Sequence, residues 1–508
     1  MFKNLYRPRL IDFASNRALI GLAFLAGVII SLLYRPFAQV ESGDSSIWDY
    51  IAQSILRGQI PYRDVIEIKT PLSAYLSALM IGLFRFTGIS DVIAIRLLYI
   101  LLVGAVAATT YFVAMVYLKN RMAGIIAVLT LLMSDHFISW MISGTEPKLC
   151  MILFGLGTLI FIAQDRPFLA GGCSMLSFLC WQPGLLFTGT AVLIFSNYLK
   201  TWRDGRALKL LAGASLPLLL VIIYFSLNGA LDDLWRWTIV YNYKVYAPVT
   251  HKPDSAIHVL TIFYRVFHYE IILPILSLLG LVLFASARII ARFKSRNRIL
   301  EPNNFLDALW IPPVVYLLFC FINLQAGPDL IPIFPFVGLF AGFIVNKITK
   351  QLNHKNPSQS IVFADGLAKF AIIIMITLTF WNGYYFWREK GSPLREQIES
   401  LKCLNRELGE HGTIYAHGAT EILVLLNKPN ANPYIFLDFG KDNFIASQIT
   451  ESFEGFINKL ETEKPKIVIF ARMRKVEHKD DLNKWAETYY NKLEIVGYDE
   501  AYIRKPNQ

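Results

Sequence analysis

The sequence predicts a polytopic α-helical membrane protein: about eleven transmembrane helices, two interfacial helices in the first exterior loop, and a small C-terminal α/β domain. Three observations carry that expectation. Of 508 residues, 55% are hydrophobic, 14% aromatic and only 17% charged, more apolar surface than a soluble core hides. Apolar runs of about 18 to 25 residues recur as far as Trp387, each able to cross a hydrocarbon layer of roughly 30 Å. Beyond Trp387 the long runs stop, and short apolar strands alternate with amphipathic helices. The predicted domains are therefore 1–387, membrane-embedded, and 388–508, a soluble accessory unit.

Charge supports the same division. Residues 1–387 hold 31 Lys+Arg against 19 Asp+Glu, whereas 388–508 hold 18 against 19. The net charge of +11 thus belongs to the membrane part, in loops between apolar runs. That is the pattern of membrane topology, and it argues against a nucleic-acid partner. Of the five cysteines, Cys150, Cys173, Cys180 and Cys320 fall in apolar runs and Cys403 stands alone. Their spacing forms neither a disulfide framework nor a metal motif.

Taken in order, Lys3, Arg7, Arg9 and Arg17 precede an apolar run over 18–34. A cleaved signal peptide competes, but the run is long for one and many spans follow, so it is read as an uncleaved first span. The loop at Lys119 and Arg121 must be cytoplasmic by its charge, which requires that 71–86 lie at the membrane surface rather than cross. It then joins an amphipathic helix at 46–57 as the second interfacial helix. Further spans are expected at 92–117, 123–142, 147–163, 167–181, 183–199, 208–227, 270–291, 305–324, 329–346 and 366–386. The pair within 167–199 is also compatible with one bent hairpin around Trp181-Gln182-Pro183-Gly184. This arrangement puts the N-terminus in the cytoplasm and the C-terminal domain outside. A second exterior loop, 228–270, is dense in Trp235, Trp237, Tyr241, Tyr243 and Tyr246, and reads first as an interfacial aromatic belt, second as a groove for a lipid or sugar.

Residues 41–72, ESGDSSIWDYIAQSILRGQIPYRDVIEIKTPL, form the most polar passage of the front half. Ionisable groups beside a bilayer mark functional sites. With Glu146 and Lys148 from SGTEPKL, the exterior face collects Asp44, Asp64, Glu67 and Lys69. A carboxylate there suits removal of a proton from an acceptor hydroxyl or amine, and lysines suit neutralising a phosphate as it leaves. The competing reading is solvated loop charge. At Asp44 a second alternative is helix capping, since Gly-Asp-Ser-Ser opens the helix.

This passage resembles the first exterior loop of the GT-C glycosyltransferases, nearest the branch of the protein O-mannosyltransferases and the lipid A aminoarabinose transferase. Asp44 and Ala52 fit the D-x-x-x-Y-x-x-x-A/S interfacial helix of that branch. Gly58 with Pro61-Tyr62-Arg63-Asp64 fits its G-x-x-P-Y-x-D segment. Lys69-Thr70-Pro71-Leu72 fits K-x-P-L, and Thr145-Glu146-Pro147 the next element. The likeness covers roughly 15–200. It implies a glycosyltransferase that moves a sugar from a polyprenyl-phosphate donor to a glycan, lipid or protein acceptor at the exterior face, in a bacterial inner membrane. By that resemblance Asp44 and Glu146 are catalytic, and Lys69, Asp64, Tyr62 and Lys148 bind substrate. Two departures stand out: Ser45 replaces a second acid, and QAGPDLIPIFP near 325–335 lacks the basic residue of relatives.

No cofactor is implied, and no acidic doublet supports a metal. Asp135-His136 inside the third span is an ionisable pair at membrane depth and so a candidate site, although a neutral histidine bonded to its neighbours is the commoner case. In 388–508, strands are expected at TIYAH, YIFLDF, KIVIFARM and LEIVGYDEAYIRK, and helices at 393–409, 451–463 and 480–491. A lipid-linked sugar transporter is the alternative function, though no internal repeat supports it. A catalytically silent GT-C-like lipid-binding protein is another.

Overall fold

The computed structural model describes residues 13–41, 43–197, 205–250, 256–294, 304–355, 360–389, 391–448, 452–495, 498 and 500–506. The membrane part begins with α1 (Phe13–Leu33), the interfacial pair α2 (Ser45–Leu56) and α3 (Leu72–Phe84), and α4 (Asp91–Tyr117). Helices thus occupy both stretches expected to be interfacial. α3 buries Ala74, Ser77, Ala78 and Ile81, one helical stripe, and exposes Leu79 and Leu83 on the opposite side. α1 crosses α4 where Gly27 meets Gly104: a methyl group on Gly27 would stand 2.8 Å from Gly104 Cα. Where lipid removes the hydrophobic drive, such close backbone approach supplies the packing energy.

The predicted span 123–142 is broken. α5 (Arg121–Met133) and α6 (Asp135–Met141) meet at a 68° bend. Ser134 makes the break local, its extended backbone leaving Oγ to accept from Phe137 N and restart the helix. α7 (Pro147–Ala163), α8 (Pro167–Cys180) and α9 (Leu185–Phe195) follow. With 14 and 11 residues, α8 and α9 reach only about 21 and 17 Å at 1.5 Å per residue. They form the bent corner at Trp181, not two full spans.

α10 (Arg206–Leu227) leads into a helical run, α11 (Leu231–Trp235), a π-helix over Arg236–Tyr246 and α12 (Ala247–Thr250). α13 (Ala256–Phe267), α14 (Ile272–Lys294), α15 (Ile311–Cys320), α16 (Phe334–Lys355) and α17 (Ser360–Arg388) complete the membrane part. Among the described residues, six helices are long and apolar enough to cross a membrane, seven counting the bent pair, with shorter apolar helices between them.

The C-terminal unit holds α18 (Pro393–Leu408), β1 (Ile414–His417), α19 (Thr420–Leu426), α20 (Lys441–Gln448), α21 (Ser452–Glu463), β2 (Ile467–Phe470), α22 (Lys479–Tyr489), β3 (Tyr490–Lys492) and β4 (Glu500–Arg504). The sheet order is β1-β2-β4-β3, with β1 and β2 parallel and the other pairs antiparallel. YIFLDF, predicted as a strand, is irregular. Pro433 before it has no amide to donate, and only single bonds such as Gly418 N to Ile435 O tie it to β1. LEIVGYDEAYIRK is likewise not one strand; its second half is β4, which pairs back with β3.

This unit is seated on the interfacial helix α2. Asn430 N donates to Tyr50 Oη at 2.7 Å, Gln53 Nε2 to Val424 O at 3.1 Å, and Ser46 Oγ lies 2.7 Å from Thr420 Oγ1. The aromatic run predicted as a belt divides in two. Trp237 and Tyr241 are buried against Phe444 of α20, and Tyr241 Oη donates to Phe439 O, while Trp235 and Tyr243 stay exposed.

Candidate active site

The site begins with two loops fastened together by buried charge. Arg96 of α4, fully buried, donates to the carbonyls of Pro36, Gln39, Val40 and Ser143 and pairs with Glu41 at 3.0 Å. One guanidinium thereby satisfies the chain before Asp44 and the chain before Glu146. Asp49, also buried, accepts from Thr145 N at 2.9 Å. Burial, reinforced by Asp49 and opposed by Arg96, raises the Glu41 carboxyl well above its ordinary range. Burial likewise raises Asp49 to about 6 against the opposing Thr145 bonds. Sequence reasoning missed this group; the available signal was an arginine inside the apolar run 92–117.

Asp44 stands at the first turn of α2, with α-helical backbone angles and no side-chain cap bond. Its carboxylate is 66% exposed and lies 3.8 Å from Arg472, two residues past the end of β2. Capping therefore does not occupy it. Lys69 sits on a loop held from both sides. Tyr62 Oη donates to Lys69 O at 2.6 Å, while Gln182 and Asn242 side chains both donate to Ile68 O. The Lys69 ammonium rests 4.3 Å from the Trp48 ring centre, a cation–π contact that leaves its outer face open. Glu67 accepts from the amides of Ile68 and Lys69.

Lys148, on the first turn of α7, is buried with its ammonium 3.4 Å from Glu146 and 3.9 Å from Asp329, and 5.1 Å from the Trp181 ring centre. The Asp44 charge acts on the same ammonium through space. Asp329 comes from the 325–335 segment, so that segment contributes an acid to Lys148 rather than a base.

These elements enclose a cavity of about 820 Å³. Its polar lining comes from Asp44, Glu67, Lys69, Lys148 and Asp329, and from Asp438, Lys441 and Arg472 of the C-terminal unit. Its apolar lining includes Leu185, Leu186 and Gly189 of α9 and Val315 and Phe319 of α15. Leu185 and Val315 are about half exposed.

Of the predicted site residues, Asp44, Lys69 and Lys148 meet in this cavity. Glu146 lies behind Lys148 and orients it. Tyr62 and Asp64 do not line the cavity: Tyr62 is 1% exposed, packed on Phe225, and holds Lys69 by its carbonyl. Asp64 closes its own turn, accepting from Ile60 N and pairing with Arg63 at 2.8 Å, a hydrogen bond that lowers its pKa. Sequence reasoning missed Asp329, Asp438, Lys441 and Arg472, which no local motif links to Asp44. His417 explains their presentation. Its Nε2 accepts from Leu437 N, and its Nδ1 faces Ala471 O at 3.0 Å, so one imidazole ties together the two loops that carry Asp438 and Arg472.

No family model matches the chain, and no curated protein matches it by sequence. Solved structures do match. ArnT from Cupriavidus metallidurans bound to undecaprenyl phosphate superposes with a TM-score of 0.62 at 11% identity, covering 96% of this chain and 98% of that one. The apo form of the same protein gives 0.63 with the same coverage. The oligosaccharyltransferase of Archaeoglobus fulgidus, tethered to an acceptor peptide, gives 0.52 at 12% identity over 95% of this chain and 74% of its own. The chain is thus a multi-pass membrane protein with a GT-C-like fold.

Proposed function

We propose, from that fold as premise, that the chain is a membrane glycosyltransferase taking a sugar from a polyprenyl-phosphate donor. The observation that carries this reading is the mixed lining of one cavity, which combines apolar side chains of α9 and α15 with Lys69, Lys148, Arg472 and the uncapped Asp44. A polyprenyl chain suits the apolar walls, and its phosphate suits the ammonium of Lys69 and the guanidinium of Arg472. ArnT, the structural neighbour, holds undecaprenyl phosphate.

In this mechanism Asp44 accepts the proton of an acceptor hydroxyl or amine as that atom bonds to the anomeric carbon of the sugar. The bond from the anomeric carbon to phosphate oxygen breaks, and the electron pair leaves with polyprenyl phosphate. Lys69 stabilises the charge developing on that phosphate, since a fixed ammonium needs no reorganisation at the moment of transfer. Glu146 and Asp329 hold Lys148 in place. The soluble unit serves as one wall, through Arg472 and Lys441. The acceptor is a glycan, lipid or protein on the exterior face of a bacterial inner membrane, with residues 388–508 outside and the N-terminus cytoplasmic.

The test is reconstitution in vesicles with a panel of polyprenyl-phosphate sugars, reading sugar transfer together with release of polyprenyl phosphate. Transfer that disappears in Asp44→Asn supports the reading. Binding of the lipid without turnover on any donor and acceptor supplied would sink it in favour of a silent lipid-binding protein.

A further inference from the structure

The break between α5 and α6 builds a second cluster, separate from the cavity lining. Asp135 opens α6, its Oδ1 accepting from His136 N at 2.6 Å and lying 2.8 Å from His136 Nδ1. His268 opens the turn between α13 and α14 and brings its ring to 5.7 Å from that of His136, nearly perpendicular. One donor atom from each of Asp135, His136 and His268 lies within 4.8 Å of the other two, and all three residues are half-buried. Trp140 packs its ring on His136 at 5.0 Å and shields one side.

We propose that Asp135, His136 and His268 bind a divalent transition metal of the zinc class. Two imidazoles and one carboxylate suit Zn²⁺, whereas Mg²⁺ and Ca²⁺ require mostly oxygen ligands. Tetrahedral zinc with bonds of about 2.0–2.1 Å separates its donors by roughly 3.3 Å, so donors that already lie within 4.8 Å of one another reach it by side-chain adjustment. Three protein ligands leave the fourth position to water.

The metal joins α6 to the corner between α13 and α14. Between them lies the turn Gly327–Ile333, which presents Asp329 to Lys148. Gly327 fits because it has no side chain: a methyl group there would stand 2.8 Å from Trp140 and 2.9 Å from Val266. The site therefore clamps α13 and α6 around the turn that forms the cavity floor. Its role is structural, and the transfer chemistry does not run through it.

The experiment uses the full-length protein in detergent, stripped with a chelator and dialysed against Zn²⁺, with metal content measured by mass spectrometry. One zinc per chain is expected, with Co²⁺ giving visible absorption bands of the same stoichiometry. His136→Ala and His268→Ala should each lose the metal and the zinc-dependent rise in melting temperature, while melting cooperatively without it. No bound zinc in the wild type, or equal zinc in both variants, overturns the proposal.

Discussion

The Asp44 carboxylate and the Arg472 guanidinium lie 3.8 Å apart, joining the start of α2 to the loop after β2 across almost the whole chain. The contact is partly exposed, so its worth for stability is small, about 0–1 kcal/mol. Its importance lies in where it places the charge of each partner.

Asp44→Asn is the sharpest test of the base. Asparagine keeps size and caps helices as well as aspartate does, and Asp44 makes no cap bond to lose. Expression and melting should be unchanged while transfer falls by at least roughly a hundredfold. Asp49→Asn should do much less, because its amide oxygen can still accept from Thr145 N. Wild-type turnover in Asp44→Asn would remove the principal residue of the mechanism.

The two lysines separate by burial. Lys69 is held by its backbone, so Lys69→Ala should weaken donor use with little change in melting, and Lys69→Arg should retain part of it. Lys148 is buried between Glu146 and Asp329, and removing one partner of a buried pair costs about 3–5 kcal/mol. Lys148→Ala should therefore lower both activity and melting temperature. Melting curves and donor titrations of both variants check this, and equal melting losses would contradict the assignment.

Arg472→Ala tests whether the soluble unit takes part in binding. A charged hydrogen bond is worth about 1.5–3 kcal/mol, so the KM for donor should rise by roughly ten- to a hundredfold with the fold intact. Unchanged kinetics would reduce the soluble unit to a scaffold.

His417 sets a pH window. Burial lowers its pKa from the ordinary 6.5 to about 4, partly offset by Asp438. The unfolded chain then binds the extra proton first, so stability is full above pH 6.5 and is lost as pH falls towards 4, by up to roughly 3 kcal/mol. Hydrogen exchange of β1 and β2 amides in the full-length protein should accelerate over that interval, and His417→Gln should flatten the change. An unchanged slope in the variant would assign the effect elsewhere.

Topology has a native reporter. Cys403 is exposed on α18, and the other four cysteines are buried or half-buried in the membrane part. An impermeant maleimide should label Cys403 in intact cells. In a Cys403→Ser background, Thr87→Cys should label as readily, and Lys119→Cys only after permeabilisation. Equal labelling at 87 and 119 would overturn the proposed topology.

Local sequence alone carried the membrane class, the two helices α2 and α3, the Lys69 loop and the small C-terminal sheet. Each is written in local composition or in a period of a few residues, and hydrophobicity over one segment needs no knowledge of another. The same local reading could not see that Ser134 breaks a span, since an apolar run looks continuous whether or not its backbone bends. Nor could it tell Tyr62 and Asp64, which shape the loop, from Lys69, which faces the cavity, because all three share one polar passage. Only the tertiary structure brought Asp329, Lys441 and Arg472 to Asp44. Those groups come from segments far apart in the chain, each unremarkable alone, and their charges act together only once packing brings them within a few ångströms of a common space.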